Sequence, residues 1–223
     1  MKFSNTQVWG FEHAIRGMRN PMNSWSKSDS HYGEVENKNN VHSIEYIIGE
    51  NDLELMQRLI KAGSEHRKFM RQIFVSVDIT APLYWWSEFD TYKVGTVANS
   101  TSKMHKLATT PITKECFEMD DFNKIEFGLG EIINPQTIID YCEKLRQKYL
   151  ETEDKKYWKE LIRWLPESWL QTRTVTMNYE NLLNICSKGQ RRFHKLTEWS
   201  VSFIKWARQL PYAQELIFLD ELG

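Results

Sequence analysis

The chain has 223 residues, with 29 basic and 30 acidic side chains and a pI near 6.6. This length fits a single domain over residues 1–223 whose core needs no covalent staples. Three scattered cysteines exclude a disulfide framework. Balanced charge argues against a nucleic-acid partner, and the absence of a long apolar run argues against a membrane partner. With no hydrophobic leader at the start, we expect a cytoplasmic protein.

The first fifty residues are rich in turn-forming residues, so we expect them to be largely irregular. Residues 41–48 suit either a strand or the approach to a helix. Asn51 and Asp52 predict the cap of a helix, because apolar residues at helical spacing follow them. Gly63 should end that helix, since glycine readily adopts the left-handed conformation of a helix C-terminus.

Further along the chain, alternating β-branched residues over 73–79 predict a strand that stops at Ala81 and Pro82. The polar stretch 93–103 predicts a loop. Apolar periodicity then predicts four helices: about 135–149 behind an Asn134 cap, 154–164, from 178 with an interruption at Gly189, and 196–210. This order indicates an α/β or α+β fold with a small central sheet and several long helices.

Nine tryptophans are many for this length. A large core explains them most simply, since aromatic side chains dominate protein interiors. An oligomer interface or a pocket for a ring-shaped ligand would use them equally well.

The histidines and cysteines do not fall at metal-ligand spacing, and no generic phosphate loop or nucleophile motif is present. The cysteines therefore fit buried, inert thiols.

The basic cluster 191–195 suits a solvated helix face or a phosphate clamp. Arg16 and Arg19 would share a helix face, either as surface residues or as a second phosphate contact. The hydroxyl-rich stretch 96–103 suits a plain loop or a loop that binds an anionic ligand.

At this last stretch the sequence resembles flavin-dependent thymidylate synthases. That family carries Arg-His-Arg-x-x-Ser and then Ser-x-Arg after a strand-ending Ala-Pro. Counted from Ala81 and Pro82, these motifs fall on residues 91–96 (Thr-Tyr-Lys-Val-Gly-Thr) and 101–103 (Thr-Ser-Lys). A one-residue shift would instead bring Asn99 and Ser102 into register. Further segments resemble family motifs in the same order: 14–19, 59–66, 163–166, 176–184 and 194–198.

The resemblance implies a thymidylate synthase-complementing-protein-like fold and the methylation of dUMP to dTMP. In the family, FAD carries the redox chemistry, methylenetetrahydrofolate supplies the carbon and NADPH supplies the hydride. The protein mainly holds rings and phosphates. The resemblance also implies a small-molecule nucleotide as ligand and a homotetramer whose active sites are shared between subunits.

Carried onto this sequence, the family's site predicts three groups of residues. Lys103 and Thr101 would form the catalytic centre and hold the nucleotide phosphate. The predicted flavin contacts are Ser64, His66, Lys93, Thr96, Asn178 and Asn184. The predicted further substrate contacts are Glu88, Asn99, Ser102, Arg163 and Arg191. No metal ligand is expected.

Two departures from the family pattern bear on the function. Thr91 and Glu180 stand where the family has cations, and lysines replace arginines in the signature, which keeps charge but loses the bidentate fork. Glu180 would place a negative charge beside an anionic flavin. Either cations such as Arg173 or Arg191 compensate, or the ligand differs. A catalytically inactive homologue acting as a nucleotide-binding or protein-interaction module is therefore the alternative.

Overall fold

The structure is a computed structural model that describes residues 1–36, 42–92, 94–102, 107–119, 135–193 and 195–221, without the side chains of 191–193. The described residues form six strands: β1 (Lys2–Trp9), β2 (His31–Glu36), β3 (His42–Ile47), β4 (Phe74–Pro82), β5 (Val97–Ser100) and β6 (Leu170–Asn178). The longer helices are α1 (Phe11–Arg19), α2 (Glu50–Lys61), α3 (Leu83–Phe89), α4 (Pro135–Thr152), α5 (Lys155–Trp164) and α6 (Tyr179–Cys186). Shorter ones follow: α7 (Lys188–Phe193), α8 (Ile204–Ala207) and α9 (Ala213–Leu216).

Four strands form one sheet in the order β1-β4-β6-β5, and β2 pairs with β3 as an antiparallel hairpin. The predicted mixed α/β fold with a small sheet and several helices is therefore confirmed. In the ranges that the structure describes, α4 is the one long helix, with 18 residues. Within the described part of the chain, no helix has the length and apolar character needed to cross a bilayer.

The chain divides into two compact units. The first comprises residues 1–3, 78–91 and 98–174, and the second comprises 4–77, 92–97 and 175–223. Strands β1, β4 and β6 each contribute residues to both. The expected single domain over 1–223 stays a prediction.

Strand β4 follows the sequence prediction closely. Val75, Val77 and Ile79 are fully buried while the residues between them are partly exposed, which is the period of a strand with one apolar face. The strand runs through Ala81 to Pro82, where α3 begins. In the first unit, α3 packs Trp85 against Trp86 and Phe89 with ring centroids 4.8 and 5.1 Å apart.

Strand β1, helix α1 and strand β2 correct the expectation that the first fifty residues are largely irregular, while β3 fits the strand alternative for residues 41–48. Strands β5 and β6 were also missed, β5 inside the stretch predicted as a loop. Most residues of β1, and all four of β5, are exposed. Because an exposed strand needs no apolar face, hydrogen bonds to neighbouring strands create these elements and local sequence carries little trace of them.

The start of α2 also differs from its prediction. Its N-cap residue is Gly49, and the Asp29 carboxylate accepts the backbone N–H groups of Asn51 and Asp52 at 2.9 and 3.1 Å. The helix end is as predicted, since Gly63 adopts φ +105° after Lys61.

The later helices largely follow the periodicity. Asp154 caps α5 by accepting the Lys156 N–H, and α6 begins after Asn178. The break after α6 falls at Ser187, while Gly189 lies inside α7. The predicted helix 196–210 is π-helical over Glu198–Phe203 before α8. Its apolar stripe is buried as expected: Trp199, Phe203, Trp206 and Leu210.

Candidate active site

The predicted site residues divide between the two units. Of the predicted flavin contacts, those in the described part of the chain all lie in the second unit: Ser64, His66, Thr96, Asn178 and Asn184. Most of the predicted nucleotide contacts in the described part lie in the first unit: Glu88, Asn99, Thr101, Ser102 and Arg163. Lys93 and Lys103 are outside the described residues. Arg191 lies in α7 of the second unit, and its side chain is not described.

In the second unit, the turn after α2 exposes two of the predicted flavin contacts. The left-handed Gly63 reverses the chain, and its carbonyl accepts the backbone N–H of His66 at 3.0 Å. Ser64 and His66 are both exposed on this turn. A 3₁₀ helix, Arg67–Gln72, follows directly and is anchored by the buried Phe69 and Met70. The turn thus leads straight into two cationic side chains.

These cations, Arg67 and Arg71, meet Glu180 at the start of α6. Arg67 Nε lies 3.2 Å from Glu180 Oε1, and its Nη2 donates to Asn184 Oδ1 at 3.1 Å. Arg71 donates to both carboxylate oxygens, from Nε to Oε2 and from Nη2 to Oε1. We call these four residues the Glu180 cluster. Two predicted positions, Glu180 and Asn184, are thereby joined by two arginines that the sequence did not single out.

Electrostatics within the Glu180 cluster favour the charged carboxylate. Partial burial by itself would raise the pKa of Glu180, but hydrogen bonds from Arg71 and Arg67 outweigh it and hold that pKa below its ordinary value. Glu180 also lies in the first turn of α6, where the helix dipole favours negative charge. With two guanidinium groups and one carboxylate, the cluster carries a net charge of about +1. The side chain of Arg71 remains 52% exposed.

Arg173, one of the two cations that the sequence offered as partners for Glu180, is engaged elsewhere. It lies on β6 in the first unit, where its Nη1 pairs with Asp90 at 3.0 Å and its Nε donates to Gln171 Oε1. Its guanidinium also lies 4.3 Å from the centre of the Trp86 ring. These contacts make it a structural residue of the first unit. The compensating cations come from the 3₁₀ helix instead.

The predicted flavin contact Asn178 is engaged in the cap of α6. Its side chain accepts the Asn181 N–H at 2.9 Å, and the Asn181 side chain accepts the Asn178 N–H at 3.0 Å. Asn181 also donates to the carbonyl of Val94. A Cβ at Gly95 would lie 2.9 Å from Asn178 Nδ2, and φ there is +79°. Glycine is therefore required where the signature segment meets the cap.

Thr96 follows this glycine and is partly buried, and its hydroxyl lies 3.5 Å from the Tyr92 carbonyl. Val94 and Gly95, which lie in the stretch that resembles the family signature, are thus held against the start of α6.

In the first unit, the predicted nucleotide contacts lie along β5 and just beyond it. Asn99 is exposed on β5. Thr101 extends the pairing with β6, because its N–H donates to Thr172 O at 2.9 Å and its carbonyl accepts Gln171 Nε2 at 3.0 Å. Thr101 is exposed and Ser102 is partly buried. The hydroxyl of Thr101 can therefore reach a ligand while its backbone is held by the sheet.

The other two predicted nucleotide contacts of this unit are exposed. Glu88, near the end of α3, accepts the Thr91 hydroxyl through its backbone carbonyl at 2.8 Å. Arg163 near the end of α5 pairs with Glu160 at 3.0 Å, with 57% of its side chain exposed. Binding an anion with Arg163 would require this exposed ion pair to rearrange, which is a small cost for a surface pair.

The two arginines of α1 have different roles. Arg19 is buried and donates to Asp52 Oδ1 at 2.6 Å, so its guanidinium is committed to the core. The hypothesis that Arg19 contacts a phosphate is therefore wrong. Arg16 is exposed on the same helix and remains available.

Among the described residues, no three His, Cys, Asp or Glu side chains gather closely enough to hold a metal ion. Cys142 and Cys186 are fully buried, and burial raises the pKa of the Cys142 thiol. A thiol with a raised pKa is a poor nucleophile. The expectation that the cysteines are inert stays a prediction.

Arg67 and Arg71 are the main residues that sequence reasoning missed. Their signal was modest: two arginines four residues apart, directly after the polar turn 64–66. Only the packing of the 3₁₀ helix against α6 brings them to Glu180.

The fold has solved counterparts. One is a flavin-dependent thymidylate synthase ThyX from Helicobacter pylori complexed with FAD and dUMP, which shares 16% identity at a TM-score of 0.66 over 99% of both chains. A second Helicobacter pylori ThyX structure with FAD and dUMP gives 16% identity and a TM-score of 0.69 over the whole of both chains. No protein-family model matches the chain, and no curated protein matches it. The chain therefore has the ThyX fold over its full length.

Proposed function

We propose that the chain is a divergent flavin-dependent thymidylate synthase that methylates dUMP to dTMP, with methylenetetrahydrofolate and NADPH as co-substrates. The observation that carries this proposal is the full-length similarity to ThyX structures that hold FAD and dUMP. Bound FAD would supply the redox chemistry, while the chain's own residues bind and orient the ligands.

The Glu180 cluster fits an anionic cofactor. A lone glutamate there would repel the diphosphate of FAD, but Arg67 and Arg71 neutralise it and leave an excess of about one positive charge. Both arginines lie directly after the turn that carries Ser64 and His66. We propose that Arg71, which is half exposed, contacts the cofactor, and that Arg67 positions Glu180 and Asn184.

The nucleotide would be held by Thr101 and Lys103, together with Arg191. The backbone of Thr101 is fixed by β6, so its hydroxyl can be presented at low entropic cost. Replacing Lys103 with Ala should weaken binding of dUMP by about 1.5–3 kcal/mol, the value of a hydrogen bond to a charged group. Calorimetric titration with dUMP measures this, and unchanged affinity would show that the assumed register is wrong.

The alternative function, a catalytically inactive nucleotide-binding or protein-interaction module, has its own support. Asn178 is engaged in the α6 cap, Asn184 accepts from Arg67, and Arg163 is paired with Glu160. Three predicted ligand contacts are therefore already used inside the chain. A module without catalysis would not need these three side chains to be available to a ligand.

The two functions are separated by purifying the chain and recording its absorption with and without added FAD. A synthase is expected to be yellow, or to become so with FAD, and to form dTMP from dUMP only when FAD, NADPH and methylenetetrahydrofolate are all present. A colourless protein that takes up no FAD would favour the inactive module. Bound FAD without turnover would leave a flavoprotein and contradict the synthase.

A matched pair of variants tests the role of Arg71. Arg71→Ala should weaken FAD binding about tenfold, because one charged hydrogen-bonding group is lost. Lys68→Ala removes the same charge from the same 3₁₀ helix. Lys68 is 61% exposed, and the ion pair it forms within the described ranges is with the exposed Glu65. This variant should leave FAD binding unchanged. Equal affinities in the two variants would remove Arg71 from the site.

A further inference from the structure

A depression lies beside α1 in the second unit. It shares Gly17, Asn20 and Gln72 with a larger cavity that His66 also lines. The depression has a volume of about 720 Å³ and is lined by His13, Arg16, Gly17, Asn20, Trp25 and Gln72. None of these is in the Glu180 cluster. Of the six, Arg16 alone was considered from the sequence, either as a surface residue or as a second phosphate contact. We call it the Trp25 depression.

Trp25 presents an aromatic surface to solvent. Trp25 is 49% exposed, and its Nε1 donates a hydrogen bond to Asn20 Oδ1 at 2.9 Å. Because the polar edge of the indole is already satisfied, the ring offers its apolar face. An exposed tryptophan fixed in this way suits the stacking of another planar ring.

Arg16 supplies a free cation at the same place. It lies on the exposed face of α1, and within the described residues its guanidinium has no hydrogen bond or ion pair. His13, one turn earlier, is also exposed and lines the same depression. A free guanidinium can hold a phosphate or carboxylate through two parallel hydrogen bonds.

Gln72 adds an amide to the depression. A Cβ at Gly17 would lie 2.7 Å from Gln72 Oε1, so the absence of a side chain there lets the carboxamide lie against α1. Within the described part of the chain, no hydrogen bond engages this carboxamide. A primary amide offers a donor beside an acceptor, which complements the amide edge of a ring such as a pyrimidine or a pterin.

We propose that the Trp25 depression binds a planar heterocycle that has an amide-like edge and an anionic tail. The ring stacks on Trp25, the edge pairs with Gln72 and the tail binds Arg16. A nucleoside monophosphate and a folate share this chemistry. The inference does not rest on the proposed synthase activity, because it uses none of the residues assigned to FAD or dUMP.

The test uses the full chain labelled with 5-fluorotryptophan and followed by ¹⁹F NMR. The Trp25 resonance is assigned by its absence in Trp25→Phe. Titration with dUMP and, separately, with folic acid is expected to shift this resonance saturably with at least one probe. The probe that does so identifies the source of the ligand. If neither probe shifts it at millimolar concentration, the proposal is overturned.

Variants then separate the three contacts. Arg16→Ala should weaken binding of the probe that shifts the Trp25 resonance about tenfold, as expected for losing one charged hydrogen-bonding group. Lys144→Ala removes one charge from an exposed position of α4 and should change nothing. Gly17→Ala favours the α1 helix but displaces the Gln72 carboxamide. It should therefore weaken binding of the same probe while the chain stays folded. Equal affinity in Arg16→Ala and the wild type would contradict the anion contact.

Discussion

Arg67 Nε and Glu180 Oε1 lie 3.2 Å apart although 113 residues separate the two side chains in sequence. The pair explains how an acidic residue is tolerated at a position where the sequence resemblance predicted a cation. The 3₁₀ helix brings Arg67 and Arg71 to the carboxylate together, so the Glu180 cluster keeps a net positive charge.

Replacing Glu180 with Gln should therefore destabilise the fold by about 1–2 kcal/mol, since two neighbouring arginines lose their shared anion. The pKa of Glu180 is lowered in the folded chain, so its contribution is fully present above the ordinary carboxyl pKa and is lost as pH falls through the lowered value. Urea unfolding of both proteins from neutral to acidic pH measures this. A stability difference that does not shrink in acid would contradict the pairing.

Asp52 should be among the most sensitive positions in the second unit. It is fully buried and accepts hydrogen bonds from Arg19, from both the hydroxyl and the N–H of Ser30, and from Ser28 and the Asp29 N–H. Asp52→Ala leaves a buried arginine unpaired and should cost about 3–5 kcal/mol in the free energy of unfolding.

The control for this prediction is Glu54→Ala, which removes an exposed carboxylate from the same helix. It should change stability by no more than about 0.5 kcal/mol. Similar losses in both variants would mean that Asp52 does not hold the turn 28–30 to α2.

Glu143 gives a second test of pH dependence, in the first unit. Hydrogen bonds from Arg146 above all, and from the Ile112 N–H, lower its pKa from the ordinary 4.5 to about 2. Glu143→Gln should cost about 1–3 kcal/mol at neutral pH. The difference between variant and wild type should shrink as pH falls from 4.5 toward 2 and persist above that window. Chemical denaturation at stepped pH values follows the difference directly.

The chain is expected to form a homotetramer. Four tryptophans are buried inside the chain, namely Trp85, Trp86, Trp199 and Trp206, while Trp9, Trp25 and Trp164 are exposed. The four residues of the edge strand β5 are also exposed, and Val97 is 65% exposed. Among the described strands β5 lies at an edge of the sheet, and a partner subunit could pair with that edge. Light scattering should give four times 26.6 kDa, and a mass of 26.6 kDa at micromolar concentration would refute this.

Elements whose buried face is visible in their own residue pattern could be predicted from the sequence. β4 was visible in its alternation, and α5 in its apolar face and Asp154 cap. β1 and β6 could not be predicted in this way. The polar stretch of β6 from Gln171 to Thr174 becomes a strand because β4 and β5 pair with it on both sides.

The candidate site shows the same division. The order of motifs in the sequence was enough to single out Ser64, His66 and Asn184, because those positions depend on spacing along one chain. The partners of Glu180 depend on which side chains are brought within about 3 Å, a distance that spacing does not encode. Arg173 carries the right charge but pairs with Asp90. Arg67 and Arg71 reach Glu180 instead. They do so because Phe69 and Met70 anchor their helix in the core. The resemblance thus predicted a cation near Glu180, and tertiary packing decided which residues supply it.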